Sequence, residues 1–355
     1  MADKPVNLAM IGCGLIALAH GLATGKSKTP VRFLSCSSQS LSSAQSFADE
    51  FGCDTAYDDH LQMLQHESPD GVVIATPPAT HMQIILDCLD AGIKNILCEK
   101  PLTLTAEEAR TVADAANSAG ANLLEGFMYR HHPQIRQSLE IIHSGELGAI
   151  DHFHSSITML DLSETSTEDM PANWRRDGDQ GGVLHDFLCY PIDAANLFIG
   201  ATPLKAFART YNSPRYDTIY RIYGMIEYSN GAMATINASR LSDFNQPLSI
   251  ACAKGTLSLD VAYNPIGDTH IRIRRSHGLI ATDEQLVPVH SSKNSSKRLL
   301  DLPVFTTQLE YFLTLIQGEQ PALISLQDSL KNAQVRDALI ESARSGQWTP
   351  ISGNF

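Results

Sequence analysis

A lysine at one strand tip, with an acid and a phenol four residues apart elsewhere, could move a proton together. The lysine is Lys100, in the run Leu97-Cys98-Glu99-Lys100-Pro101. The acid and the phenol are Asp186 and Tyr190, in Gly181-Gly182-Val183-Leu184-His185-Asp186-Phe187-Leu188-Cys189-Tyr190. If 184–197 is one helix, positions 186 and 190 are spaced i, i+4 and share a face. A free tyrosine titrates near ~10, too high for an efficient base at neutral pH. A nearby ammonium favours the phenolate. The expectation is that Lys100 meets Tyr190 and Asp186 across a cleft between two domains. The plainer alternatives are a solvated turn at Glu99–Lys100 and, at Asp186, an acid that merely suits a helix N-terminus.

A second constellation would hold an anionic ligand. Gly12-Cys13-Gly14-Leu15-Ile16-Ala17 gives G-x-G-x-x-A between the first strand and the first helix. The first glycine allows a tight turn. The second lets a pyrophosphate reach the backbone, and Ala17 lets helix and strand pack closely. Gly12, Gly14, Leu15 and Ile16 are therefore the candidate contacts to a dinucleotide. An acid at the tip of the second strand would bind ribose hydroxyls, and an arginine a 2′-phosphate. Ser37-Ser38-Gln39 supplies neither. The missing acid removes the main repulsion against a phosphate, so NADP is expected over NAD. Thr76 and Pro77 follow the third strand and form a stiff edge to the nucleotide crevice. His81 either joins that edge or is a helix-terminal histidine with no ligand.

These residues need elements to position them. Short apolar runs alternate with helical patterns up to about residue 125: LAMIGCG, LIALAHGLATG, VRFLSCSS, LSSAQSFADEFG, GVVIATPP, THMQIILDCLDAG, NILCEKP, TAEEARTVADAANSAG and ANLLEGF. That alternation implies βαβ units and a doubly wound parallel sheet, with ligands at the carboxyl ends of its strands. Lys100 then lies on the ligand edge, its direction set by Pro101. Thr105 and Glu108 form a capping-box pattern before a helix. From there the texture is mostly strands, with Asn230–Gly231 as a hairpin turn. The expected second domain is α/β with an open, mostly antiparallel sheet, closed by two helical stretches after Pro303. The expected division is 1–124 for the dinucleotide and 125–355 for substrate and assembly. Residues 161–182 and 283–300 read as loops.

Composition bounds the rest. A net charge of −13 argues against nucleic acid, which needs a basic face. No apolar run approaches the ~20 residues of a membrane helix, and no signal segment opens the chain. Seven scattered cysteines without a C-x-x-C pair fit reduced thiols in a cytoplasm. His131–His132 is followed by Pro133 with no further ligand at useful spacing, so no metal is expected.

Taken together, G-x-G-x-x-A, VVIATPPATH, CEKP, LLEGFMYRHHP, GGVLHDFLCYPID and FTTQLEYFLTLIQGEQP make the sequence resemble the glucose–fructose oxidoreductase / inositol dehydrogenase / MocA family over nearly its whole length. The EGFMYRHHP run is similar to the branch of dihydrodiol and xylose dehydrogenases. The resemblance implies hydride transfer between a nicotinamide and a sugar or polyol carbon, in a homodimer or homotetramer. It implies Lys100, Asp186 and Tyr190 as the catalytic set, with Arg130 and Arg175 beside them at the substrate. It extends the cofactor contacts to Glu99, Lys100, Trp174 and Arg175. Leu188 stands where the family usually has glycine. Two other readings stay open: a glycoside-modifying enzyme with a retained, redox-neutral NAD(P), and a non-enzymatic NAD(P)-binding sensor.

Overall fold

The computed structural model describes residues 4–164, 173–176, 178–213, 215–277, 281–291, 300–319 and 323–353. The chain forms two compact units. Unit 1 comprises Met1–Thr103, Glu107–His131 and Ser292–Ser329; unit 2 comprises Leu104–Ala106, His132–Ser291 and Leu330–Phe355. The main crossing near residue 131 lies just beyond the cut expected at 124/125, and 292–329 return to unit 1.

Unit 1 begins with β1 (Val6–Ile11), α1 (Leu15–Thr24), β2 (Val31–Ser37), α2 (Leu41–Phe51), β3 (Thr55–Tyr57) and α3 (His60–His66). It continues with β4 (Gly71–Ile74), α4 (His81–Asp90), β5 (Asn95–Glu99), α5 (Ala106–Ala119) and β6 (Asn122–Gly126). The six strands lie in the order β3-β2-β1-β4-β5-β6, all pairs parallel. This is the doubly wound arrangement whose ligand edge lies at the strands' carboxyl ends. Successive residues of β4 are buried throughout, as a sheet covered on both faces requires. The short β3 and α3 were not anticipated. Three residues give too little periodicity to read.

Unit 2 contains α6 (Pro133–His143), β7 (Ile150–Thr158), α7 (Gly182–Asp186), α8 (Cys189–Ile199), β8 (Pro203–Asn212), β9 (Ile219–Tyr228) and β10 (Met233–Ser239). Then come β11 (Leu248–Cys252), β12 (Gly255–Leu259), β13 (Thr269–His277) and β14 (Ala281–Val289). After α9 (Pro303–Ile316), which belongs to unit 1, α10 (Leu326–Ser345) and β15 (Thr349–Pro350) end the chain. Nine strands run β14-β13-β12-β11-β7-β10-β9-β8-β15. Every pair is antiparallel except β7 with β10. Gly231, φ +87°, turns the β9–β10 hairpin.

Strand β9 alternates buried and less buried residues. Tyr220, Ile222, Ile226 and Tyr228 face the core, where a Cβ on Gly224 would lie 2.9 Å from Leu339 of α10. The opposite face carries Tyr211 beside Tyr223 and Phe207 beside Trp348. Strand β14 corrects the loop expected from 283. Its Pro288 is tolerated because β14 is an edge strand, where one row of N–H groups has no partner to lose. Residues 165–172 and 292–299 of the two expected loops lie outside the described residues.

Candidate active site

The glycine loop follows β1 because nothing larger than glycine fits at position 12. Gly12 has φ +93°, and a Cβ there would lie 2.7 Å from Thr76 Cγ2 and 2.8 Å from the Ala75 carbonyl. Its N–H donates to Ser37 O (2.8 Å), tying the loop to the end of β2. At Gly14 an added Cβ meets nothing within 4 Å. Helix α1 starts there with no side-chain cap and no acid in its first turn. With no side chain capping it, this helix start offers a favourable dipole for an anion. A dinucleotide pyrophosphate fits these residues. Leu15 is 62% exposed at the same edge.

The tip of β2 holds no acid. Ser37 is buried, and its carbonyl rather than its hydroxyl shapes the loop. Ser38 and Gln39 are the residues left at the surface. Ser40 caps α2, accepting from Ser43 N (3.4 Å).

Next along the ligand edge comes the tip of β4. Thr80 Oγ1 donates to Thr76 Oγ1 (2.8 Å), and Pro77 is exposed. His81 is wholly buried. Its ring nitrogens lie 2.9 Å from Thr76 O and 2.9 Å from Pro101 O. Burial pushes its pKa down, against the pull of those carbonyls and of Glu99. His81 therefore ties the β4 tip to the β5 tip and turns no nitrogen outward.

Glu99 explains the acid at the end of β5. Its Oε1 meets His20 Nε2 of α1 at 2.8 Å, both groups buried. Its Oε2 accepts the Lys100 N–H (3.3 Å). An acid is affordable there because each oxygen has a donor. Glu99 thus braces α1 against the Lys100 main chain. The Lys100–Pro101 peptide is cis, and Lys100 is half-buried on the carboxyl edge. Below it, Glu125 Oε1 accepts from Leu102 N (2.8 Å). Helix α9 closes the back of unit 1. Glu310 accepts from Ser27 Oγ (2.9 Å) and Thr29 Oγ1 (3.2 Å), Lys26 pairs with Asp301, and Phe305 meets the His20 ring edge-on. Arg130 is 4% exposed and 3.8 Å from Asp328, so it is built into unit 1 as a buried cation.

In unit 2 the helix expected over 184–197 is broken. Phe187 and Leu188 separate α7 from α8, so Asp186 and Tyr190 do not share one helical face. The two glycines ahead of α7 are there for close approach. A Cβ at Gly181 would lie 2.4 Å from Trp174 O, and one at Gly182, φ +68°, would lie 2.3 Å from Ile219 O. Leu188 keeps an ordinary right-handed backbone and is fully buried.

Asp186 is held by two arginines. Its Oδ2 accepts from Arg175 Nε (3.0 Å) and from Arg240. Arg240 directly follows β10 and was not anticipated. Its signal, a cation closing an alternating strand, names no partner. Tyr190 is 5% exposed, its ring 5.2 Å from Tyr263. Burial pushes the Tyr263 phenol up, and its hydroxyl shares a bond with Ser155 (2.6 Å). Behind Tyr190, Asn332 Nδ2 donates to Asp193 Oδ1 (2.7 Å) and Asn196 Nδ2 donates to Asn332 Oδ1 (2.8 Å). Trp174 and Arg175 form one 3-10 turn, with the guanidinium 4.6 Å over the indole. Arg176 pairs with Asp161 (3.5 Å). Burial would raise the Asp161 carboxyl, but bonds from Ser163, Tyr220 and Arg176 outweigh it and hold it low.

Among the described residues no cluster could hold a metal ion, and no helix is long and apolar enough to cross a membrane. All seven cysteines are free thiols.

Comparison with known proteins agrees with this architecture. Residues 6–127 match the profile described as oxidoreductase family, NAD-binding Rossmann fold, and 135–258 match the GFO/IDH/MocA C-terminal domain. The chain is 30% identical over 306 residues to D-xylose 1-dehydrogenase (NADP(+)) 2 of Haloferax volcanii, covering 85% of this chain and 87% of that one. It is 27% identical over 346 residues to an uncharacterised oxidoreductase of Rhizobium meliloti, covering 98% and 99%. Among solved structures, levoglucosan dehydrogenase with NADH superposes with a TM-score of 0.86 at 20% identity, covering 99% and 100%. A 3-ketoreductase from Actinomadura kijaniata with NADP and TDP-benzene superposes with a TM-score of 0.81 at 24% identity, covering 96% and 98%. At these identities the superpositions speak for the fold.

Proposed function

Because this chain belongs to the Gfo/Idh/MocA oxidoreductase family, we propose that it moves a hydride between nicotinamide C4 and a carbinol or carbonyl carbon of a sugar or polyol. The chain is an NAD(P)-dependent oxidoreductase. The observation that carries the reading is one sheet edge in unit 1. The Gly12–Gly14 loop and Lys100 stand on the same carboxyl edge, which supports their serving one ligand.

When bound, the nicotinamide donates or accepts the hydride. The chain's own residues do the rest. The α1 N-terminus and Gly14 hold the pyrophosphate. Ser38 and Gln39 hold the adenosine ribose, with NADP preferred over NAD because no acid repels a 2′-phosphate. Thr76 and Pro77 line the crevice, while His81 and Glu99 keep the two strand tips in place. Lys100 donates to the substrate oxygen and Tyr190 exchanges its proton. Asp186 holds Arg175 and Arg240 in place. Unit 2 also supplies the assembly surface: its open sheet face, with Tyr211, Tyr223, Phe207 and Trp348, buries against a second copy. Seven free thiols fit a reducing cytoplasm.

A screen of aldoses, polyols and keto-sugars with both cofactors, read at nicotinamide absorbance, tests the reading. Stoichiometric turnover of free cofactor with at least one of them is expected. Product formed with no net change in free cofactor would instead mark the redox-neutral glycoside chemistry.

A further inference from the structure

Unit 2 holds a charged relay that sugar chemistry alone does not call for. Its centre is Asp186, 4% exposed at the end of α7. Arg240, 3% exposed, donates to Asp186 Oδ2 and lies 4.5 Å over the Phe187 ring. Its N–H donates to Tyr220 O (2.9 Å). Arg240 thus offsets the carboxylate with its own charge. Arg175 then adds a second cation to the same oxygen, through Nε at 3.0 Å.

Two guanidinium groups on one carboxylate leave a charge of +1 among these three side chains. Arg175 is the outer of the two arginines. That side chain is 35% exposed, whereas Asp186 is 6%. The indole of Trp174 lies 4.6 Å beneath the guanidinium, and Asn173 Oδ1 fixes its main chain through the Arg175 N–H (3.0 Å). Neither Nη group of Arg175 makes a hydrogen bond to a described residue. A planar two-donor fork is therefore held in place, charged and open at its outer end. Such a fork matches the two oxygens of a carboxylate or phosphate. Its anchoring removes most of the rotamer entropy that a loose surface arginine loses on binding.

We propose that Arg175 is an oxyanion receptor, and that the substrate of the reaction proposed above is an acidic sugar, an aldonate, uronate or sugar phosphate, rather than a neutral one. The inference rests on that functional reading for the word substrate, but the receptor itself is testable without turnover. Full-length protein saturated with NADP is titrated calorimetrically with gluconate, glucitol 6-phosphate and neutral glucitol. Wild type is expected to bind at least one anion about tenfold or more tighter than glucitol, the worth of a good charge-assisted pair. The two anions tell carboxylate from phosphate. Arg175→Met should abolish the difference between the anions and glucitol. Arg175→Lys, which keeps the charge and loses the fork, should restore only part of it, and circular dichroism checks that both variants fold. Equal affinity for all three probes in wild type, or no binding of either anion, overturns the proposal. So does a loss of NADPH affinity in Arg175→Met with anion binding intact, which would assign the fork to a cofactor phosphate. Arginine-dependent anion binding without hydride transfer to any sugar would retain the receptor and reject the functional reading instead.

Discussion

Lys100 and Tyr190 can be tested one side chain at a time. On the proposed mechanism, Lys100→Met removes the hydrogen bond that polarises the substrate oxygen. In the same scheme Tyr190→Phe removes the proton carrier and keeps the ring against Tyr263. Each should lower turnover by ~10²–10⁴ with cofactor affinity nearly unchanged. Steady-state kinetics paired with a fluorescence titration of NADPH reads both quantities. A variant with wild-type turnover would remove its residue from the mechanism. Ser38→Asp should reverse cofactor preference toward NAD by setting a carboxylate against the 2′-phosphate. Unchanged or tighter NADPH binding in that variant would refute the assignment. At this scale the sequence showed residue types but seldom their partners. Gly12 stood out because a tight turn demands it, and Lys100 because a charged pair at a strand tip is costly unless it has partners. The pairing of Glu99 with His20, 79 residues away, and the ties of His81 to Thr76 and Pro101 depend on which strand tips become neighbours. Arg240 was invisible for the same reason, since it meets Asp186 only across 54 residues.

The elements themselves were largely legible where periodicity is strong. Helices α1, α2, α4, α5, α9 and α10 and most strands fall where apolar spacing put them. The 184–197 stretch shows the limit. It is apolar almost all round, so it looks like one buried helix, and nothing local reports the break at Phe187–Leu188. Helix α6 offers a pH test at this scale. His132 caps it, accepting from Gln134 N (3.2 Å), and burial lowers its pKa from 6.5 to about 4. Between those values the unfolded chain binds the extra proton and the folded one does not. This contribution to stability is complete above pH 6.5 and is lost as pH falls towards 4, about 3 kcal/mol in all. His132→Asn keeps a capping oxygen and removes the titration. Denaturant unfolding from pH 7 to 4 should show a flatter stability profile for the variant. Parallel profiles would show that His132 does not titrate this way.

At the scale of the molecule, a parallel sheet followed by a mostly antiparallel one follows from the change of texture along the sequence. The return of 292–329 to unit 1 does not. An amphipathic helix shows that it must cover something, but not which sheet. The open face of the nine-stranded sheet is expected to bring two or more copies together, so light scattering at micromolar concentration should give a dimer or higher, and a monomer would contradict it. The central claim is direct hydride transfer at the edge of unit 1. Its most direct measurement is mass spectrometry of the product formed from keto-sugars with reduced cofactor carrying deuterium at both C4 positions. One deuterium on the reduced carbon, delivered stoichiometrically with cofactor oxidation, is the predicted result. Oxidation of the labelled cofactor with no deuterium on the sugar, or no reaction with any of them, would contradict the account.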